Sequence, residues 1–121
     1  MSIMKMHNDL EVWKKSVLFV TSIYAVTKNF PASEVYGKSN QIRRSSVFIP
    51  SNIAEGSARQ GNKEFVHFLY ISLGSLAELE TQLIIASNLE YLLLKDYESL
   101  LANLVEIRKM LLGLIKYIKN R

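Results

Sequence analysis

Residues 64–86 read EFVHFLYISLGSLAELETQLIIA, and their apolar residues recur at alternating steps of four and three. This is the period of one face of an α-helix, whereas the strict alternation typical of a strand appears nowhere at length in the chain. The pattern predicts a helix over about residues 63–89, with Asn62 as its cap. The seam consists of Phe65, Leu69, Ser72, Leu76, Leu79, Leu83 and Ala86.

The same rhythm predicts a first helix over about 9–29 and a last helix over about 96–119. Asn8 or Asp9 can cap the first helix, and Asp96 lies near the cap of the last. The seam residues are Leu10, Trp13, Val17, Val20, Tyr24 and Thr27 in the first helix, and Leu100, Leu104, Ile107, Leu111, Leu114 and Ile118 in the last.

A further helix is predicted over about 39–59, with a core stripe of Ile42, Ile49 and Ile53. Because proline cannot donate a backbone hydrogen bond, we expect a kink at Pro50. Gly56 and Gly61 are both candidate terminators, and the sequence does not choose between them. The opposite side of the helix presents Gln41, Arg44, Phe48, Ser51, Glu55 and Arg59.

These four helices predict a single domain, residues 1–121, that is an antiparallel up-down four-helix bundle with its second helix kinked at Pro50. Helices on a three-four rhythm pack at shallow angles, and short connections make sequential neighbours antiparallel. A chain of 121 residues is large enough for a hydrophobic core without disulfides or metals. Since it contains no cysteine, disulfides, thiolate metal sites and cysteine nucleophiles are excluded.

Composition also predicts a soluble, cytoplasmic protein. The first residues, MSIMKMHNDLEVW, lack the uninterrupted apolar segment of a secretory signal. The most apolar run, residues 16–26, is too short to span a membrane and is bounded by lysines. We therefore expect no membrane partner.

Charge is unevenly distributed along the chain. Residues 38–63 hold five basic residues and one acid, residues 64–106 hold seven acids and one lysine, and residues 108–121 hold five basic residues and no acid. Two basic blocks around an acidic one could form a nucleic-acid-binding face. Alternatively, these lysines and arginines complement the dipoles of helix C-termini.

Two of the predicted helices have a second apolar row beside the first. These rows consist of Val12, Phe19, Ile23, Val26 and Phe30 in the first helix, and Val66, Tyr70, Leu73, Ala77 and Ile84 in the third. One apolar stripe per helix suffices for a lone bundle, so the second rows indicate burial against other copies of the chain. The alternative is one wide stripe in a monomer. The candidate oligomer-interface residues are Val12, Phe19, Ile23, Val66, Tyr70 and Leu73.

The sequence lacks the patterns of known catalytic or metal sites, so we expect no enzyme, no metal and no cofactor. His7 and His67 have no carboxylate partner at the spacing of a ligand set. Glu78 and Glu80 are two residues apart and therefore point in different directions on a helix. Neither a phosphate-binding loop nor a serine nucleophile elbow is present.

The polar row of the second helix is the remaining candidate site. Glu55 and Arg59 form an i,i+4 pair in the favourable order, which could be no more than a surface ion pair. The functional interpretation assigns Arg43, Arg44, Arg59 and Lys63 to nucleic-acid phosphates. Arginine suits this role because its planar fork can bind two phosphate oxygens at once. No aromatic residues are interleaved for base stacking, so such binding should be sequence-independent and salt-sensitive.

Several segments resemble the bacterial four-helix-bundle family of 23S rRNA intervening-sequence proteins. The resemblance covers about residues 9–118 and includes LEVWKKS, IYAVTKNFPASEVYG, QIRRSSVFIPSNIAEGSAR, EFVHFLYISLGSLAELETQLIIA and MLLGLI. Its most specific residues are Arg44, Asn52, Ile53, Ala54, Glu55, Gly56 and Arg59, followed by Gly74, Ser75, Glu78 and Glu80.

The resemblance implies antiparallel bundles assembled into a ring, typically a homopentamer, without catalytic activity or cofactor. It also implies kinship with accessory proteins of diversity-generating retroelements, which bind nucleic acid and a reverse transcriptase through a basic surface. By position, such a surface would contain Arg43, Arg44, Arg59 and Lys63. Asn52, Glu55 and Gly56 would be structural parts of the family signature.

Two functional hypotheses follow, and an enzyme is a distant third. The first is a non-catalytic, ring-forming module that binds RNA or DNA phosphates non-specifically through a basic surface. The second is a protein-interaction adaptor, for example an accessory subunit of a reverse transcriptase, with no direct nucleic-acid role.

Overall fold

The computed structural model describes residues 10–35 and 37–121. Four α-helices account for most of them: α1 (Glu11–Thr27), α2 (Lys38–Ser57), α3 (Asn62–Asn88) and α4 (Leu94–Lys119). A single 3-10 turn, Ala32–Glu34, lies between α1 and α2, and the described ranges contain no strand. The all-α prediction is confirmed, and every helix end lies within two residues of its predicted position.

The helices form a four-membered bundle. Each helix packs against its neighbour in sequence and α1 packs against α4, while the diagonal pairs make no backbone contact in the described part of the chain. Contacts between neighbours run antiparallel. Ser45 and Ile49 of α2 meet residues 78 and 72 of α3, and Asn62 at the start of α3 meets Ile118 at the end of α4.

Buried apolar side chains form one core cluster, and the predicted seams of α2 and α3 lie inside it. Ile42, Ile49 and Ile53 are fully buried, and so are Leu69 and Leu79. The seam of α4 is confirmed except at Leu114, which is half-buried while the adjacent Ile115 takes the core position.

In helix α1 the apolar row that faces the core is not the predicted one. Its buried face is Val12, Ser16, Phe19, Ile23 and Thr27. Of the predicted seam, Trp13, Val17 and Val20 are only half-buried and Tyr24 is exposed, although Leu10 and Thr27 are buried. Both rows of α1 are similarly apolar, so the period alone does not decide which row faces the core.

The predicted caps are corrected in two places. The N-cap of α3 is Gly61, whose φ of +108° favours glycine, while Asn62 is the first helical residue. The Asn62 side chain instead donates to the carbonyl of Ile118 over 3.2 Å. Asp96 lies in the first turn of α4 without capping it, because the N-cap is Leu93. Asn8 and Asp9 lie outside the described residues.

The two glycines near the end of α2 have different roles. Gly61 lies in the turn before α3, whereas Gly56 is buried inside α2. A Cβ at Gly56 would lie 2.7 Å from the Cβ of Phe68, so glycine permits α2 and α3 to approach closely. Pro50 is also buried inside the helix, which continues through it, and a change of axis direction there stays a prediction.

Helix α3 has the length and apolar composition of a membrane-spanning helix, a property that core helices of soluble bundles share. Here Leu69, Leu76 and Leu79 are fully buried against the other helices. His67, Gly74 and Thr81 lie on its exposed side. The absence of a membrane partner remains an expectation.

Candidate nucleic-acid interface

Arg43 is engaged in packing α2 against α1. Its Nε donates to Thr27 Oγ1 over 2.8 Å, and its Nη2 lies 3.5 Å from the carbonyl oxygen of Tyr24. The guanidinium also lies over the Tyr24 ring, 4.6 Å from the centroid. A half-buried guanidinium with these partners is poorly placed to bind a phosphate, so we assign Arg43 to the fold.

Arg44 lies about 100° further around the same helix and is exposed. Its guanidinium is 5.9 Å from the centre of the Phe48 ring. It lines a polar groove of about 430 Å³ between α2 and α3, together with residues such as Ser45, Glu78 and Gln82. Arg44 is therefore accessible, but in a setting different from that of Arg43.

Arg59 follows the end of α2 and is exposed. Its Nη2 lies 3.1 Å from Glu55 Oε2, and its guanidinium lies 5.0 Å from the centre of the Phe68 ring. At about 1.5 Å per residue, roughly 20 Å of helix axis separate Arg44 from the end of α2 at Ser57, and Arg59 lies beyond that end. The four predicted phosphate-binding residues therefore do not form one surface.

Lys63 meets the second basic block of the sequence. Lys63 and Lys119 line one apolar groove of about 270 Å³ at this end of the bundle. Arg121 donates from Nε and Nη2 to Asn62 Oδ1, over 3.1 and 2.9 Å. The antiparallel packing of α3 and α4 thus joins two basic runs that the acidic segment separates in sequence.

We call this region the basic end. It consists of Arg59, Lys63, Lys116, Lys119 and Arg121. All five side chains are exposed. The acids nearest in sequence are Glu55 and Glu64 for Arg59 and Lys63, and Glu106 for the other three. Sequence reasoning recognised the second basic block without assigning it to the site. The signal was available in the antiparallel order of the last two helices, which places the end of one beside the start of the other.

Acidic residues further along the bundle have basic partners of their own. Glu80 Oε1 accepts a hydrogen bond of 2.6 Å from Arg108 Nη2, and Glu106 lies 3.4 Å from Lys15 Nζ. Glu78 instead accepts from Ser45 of α2. Glu78 and Glu80 thus contact different helices, as predicted, and form no acid–base pair.

The predicted oligomer-interface residues lie mostly inside one copy of the chain. Val12, Phe19, Ile23 and Val66 are at most 8% exposed, and Leu73 packs against the same core. The remaining residue, Tyr70, is 48% exposed. The burial of these five side chains contradicts an interface between copies that is built from them. On α1 these residues are buried because the row that was assigned to a partner copy faces the core of its own bundle.

Apolar surface nevertheless remains uncovered at other positions. These residues include Leu18 of α1, Phe48 of α2, Ile71, Ile84 and Ile85 of α3, Leu93 and Leu94 before and at the start of α4, and Leu112 and Tyr117 of α4. Each exposes more than a third of its area. Apolar side chains are therefore exposed at positions other than the predicted ones, and their burial against other copies stays a prediction.

The model of the 23S rRNA-intervening sequence protein family matches residues 8–113. A solved structure from Bacteroides thetaiotaomicron VPI-5482, a protein of unknown function from the S23 ribosomal protein family, is 32% identical in sequence. It superposes with a TM-score of 0.78 over 87% of this chain and 98% of its own. None of the curated proteins compared with the chain matches it.

The family match covers most of the chain, and the solved structure shares both its fold and about a third of its residues. The chain therefore belongs to the family of 23S rRNA-intervening sequence proteins.

Proposed function

We propose that the protein is a non-catalytic module that binds RNA or DNA through backbone phosphates at the basic end. The observation that supports this function is the meeting of Lys63 with Lys119 and Arg121, which belong to the second basic block. Nucleic-acid phosphates are bound mainly by such exposed lysines and arginines, whose contacts release counterions.

The partners at the basic end leave most of its charge available. Among the described residues, the ion pair at the basic end is that of Arg59 with Glu55, and both side chains are about half exposed. Lys119 lies near the hydroxyl oxygen of Tyr70, at 3.2 Å, and Arg121 contacts the neutral side chain of Asn62. Neutral partners orient these cations without cancelling their charge.

The test is the salt dependence of binding to a labelled single-stranded RNA, measured by fluorescence anisotropy. For a single strand, each neutralised phosphate contributes about 0.7 to the slope of log K against log salt. A Lys63→Gln/Lys119→Gln double variant should therefore weaken binding and lower that slope by about 1.4.

The control removes the same charge at the opposite end of the bundle. Lys28 follows α1 and Lys95 opens α4, and both side chains are exposed. A Lys28→Gln/Lys95→Gln variant should leave the slope nearly unchanged. Equal slopes for the two double variants, or no binding by the unaltered protein at low salt, would exclude the basic end as the site.

We further propose that copies of the chain assemble into a closed ring, with a homopentamer as the expected size. The exposed apolar residues of α3 support this assembly, because Ile71, Ile84 and Ile85 are each more than a third exposed on one helix. Light scattering coupled to size exclusion should give a multiple of 13.8 kDa, and Ile84→Lys should reduce it. A mass of one chain at micromolar concentration would contradict assembly.

The same apolar surface favours the second function, a protein-interaction adaptor of the kind found as a reverse-transcriptase accessory subunit. In that case nucleic acid is incidental to the complex. Affinity capture from the native host, with and without nuclease, separates the two functions. A protein recovered equally after nuclease treatment supports the adaptor, and recovery only with intact nucleic acid supports the basic end.

A further inference from the structure

The polar groove between α2 and α3 is chemically distinct from the basic end. It has a volume of about 430 Å³, within the range of small-molecule sites, and polar atoms make up most of its lining. Arg44 and Phe48 line it from α2, and Glu78 and Gln82 line it from α3. It therefore combines a cation, an aromatic ring, a carboxylate and an amide.

Hydrogen-bond acceptors on the α3 side are incompletely satisfied. Glu78 Oε1 accepts from both Ser45 Oγ and Gln82 Nε2, each over 3.2 Å. Gln82 Oε1, by contrast, is buried and has no hydrogen-bond partner among the described residues. Because the terminal amide torsion of glutamine is soft, this oxygen can turn towards a donor that enters the groove. The α3 side of the groove thus has an acceptor, Gln82 Oε1, that still needs a donor.

The α2 side has the opposite character. Arg44 and Glu78 line the same groove, yet the four ion pairs found among the described residues do not include them. The Arg44 guanidinium lies near the Phe48 ring, which is 45% exposed. A guanidinium and an open aromatic face therefore stand opposite unsatisfied acceptors, with space between them.

We propose that this groove binds one unpaired nucleobase, with guanine preferred. Guanine has N1–H and N2–H₂ donors on one edge, which match Glu78 and Gln82. Its O6 and N7 acceptors on the other edge match an arginine. Unpaired bases also stack on aromatic rings, and the exposed ring of Phe48 supplies such a face, while Arg44 is left to the O6 and N7 edge. Adenine offers an acceptor at N1 and would meet the Glu78 carboxylate unfavourably.

The proposal deepens, and rests on, the proposed nucleic-acid function, because the base would belong to a strand whose phosphates contact the basic end. The two sites are nevertheless separable by experiment. Guanosine and adenosine carry no phosphate, so their binding depends on the groove and not on Lys63 or Lys119. Titration of each nucleoside is followed by NMR, through the backbone and side-chain amide signals of Asn40, Gln41 and Gln82.

Guanosine should shift these signals in a saturable manner, with adenosine about tenfold weaker or more. Phe48→Leu and Glu78→Gln should each weaken guanosine about tenfold, because they remove the stacking face and the carboxylate. The Lys63→Gln/Lys119→Gln variant should bind guanosine like the unaltered protein. Guanosine shifts without RNA binding would support the nucleobase site in the groove and overturn phosphate binding at the basic end. RNA binding without guanosine shifts would support the basic end and overturn the nucleobase site.

Gln82→Met separates a binding role from a structural one. It removes the unpartnered oxygen together with the exposed hydrogen bond from Nε2 to Glu78, so the urea midpoint should change little while guanosine binding falls about tenfold. A lower midpoint with unchanged guanosine binding would show that Gln82 serves the fold, and would overturn the proposal. So would equal affinity for guanosine and adenosine, or shifts produced by a free amino acid such as glycine but not by guanosine.

Discussion

The two faces of α2 differ in what their residues touch. On the inner face Ile42, Ile49 and Ile53 are fully buried, and Gly56 lies against α3. On the outer face, residues such as Phe48 and Glu55 remain in contact with solvent. One segment of the family-like sequence thus encodes both helix packing and a chemically varied surface, in rows about half a turn apart. Substitutions on the two faces should separate stability from binding.

The largest contrast is expected between Ile53→Ala and Phe48→Ala. Ile53 is fully buried, so its truncation leaves a cavity and should lower the free energy of unfolding by about 2–5 kcal/mol. Phe48 is a larger side chain but is 45% exposed, and its truncation should cost about 1 kcal/mol or less. Urea unfolding followed by circular dichroism measures both. Comparable losses would show that the outer face also stabilises the fold.

A pair of glycines should respond with opposite signs. At Gly56 an added Cβ meets Phe68 Cβ at 2.7 Å and Phe65 Cδ1 at 3.1 Å. Gly56→Ala should therefore destabilise the protein by about 1–3 kcal/mol, through overpacking of α2 against α3. At Gly74 an added Cβ has nothing within 4 Å.

Gly74→Ala should accordingly stabilise α3 by about 0.5–1 kcal/mol, because alanine loses less backbone entropy in a helix. Thermal and urea unfolding of the two variants supply the comparison. Stabilisation by Gly56→Ala would mean that α3 can move away without loss, and that the close approach is not needed.

Sequence periodicity predicted the bundle and most of its core because the most regular apolar row of α2, α3 and α4 is also the row that packs inward. It failed on α1, where Val12 and Phe19 compete with Trp13 and Val17. Choosing between such rows requires knowledge of how α1 is rotated against α2 and α4. The predicted interface residues of α1, Val12, Phe19 and Ile23, are buried for the same reason, since they were assigned to the outer row.

The site was only partly predictable. Arg43 and Arg44 are identical in type and adjacent in sequence, and a helical step of about 100° sends one towards Thr27 and the other into the polar groove. Period alone does not identify a partner on another helix. The unpartnered oxygen of Gln82 was beyond sequence reasoning altogether, because it depends on the positions of individual atoms.

The adjacent arginines provide the next contrast. Arg43→Gln removes the 2.8 Å bond to Thr27 and the contact with the Tyr24 ring, and should cost about 1 kcal/mol of stability. Arg44→Gln should change stability by about 0.5 kcal/mol or less, because its side chain is exposed. Both variants lose the same charge, and neither belongs to the basic end. If Arg43→Gln weakened RNA binding more than Arg44→Gln under conditions where both variants are fully folded, Arg43 would belong to the nucleic-acid interface.

The smallest effect on stability is expected at the ion pair of Glu55 with Arg59. Both side chains are about half exposed, so Glu55→Gln should cost only about 0.2–1 kcal/mol. If Arg59 serves phosphate binding, the same substitution should tighten RNA binding about twofold to fivefold at low salt, because it releases the guanidinium from its competitor.

Glu98→Gln supplies the matched control, since it removes an exposed acid near the start of α4, at the opposite end of the bundle. A gain in affinity confined to Glu55→Gln, and lost again when Arg59 is also replaced by glutamine, identifies a local competition. An equal gain in affinity for Glu98→Gln would show that the effect comes from the change in net charge, and that Arg59 does not contact the RNA.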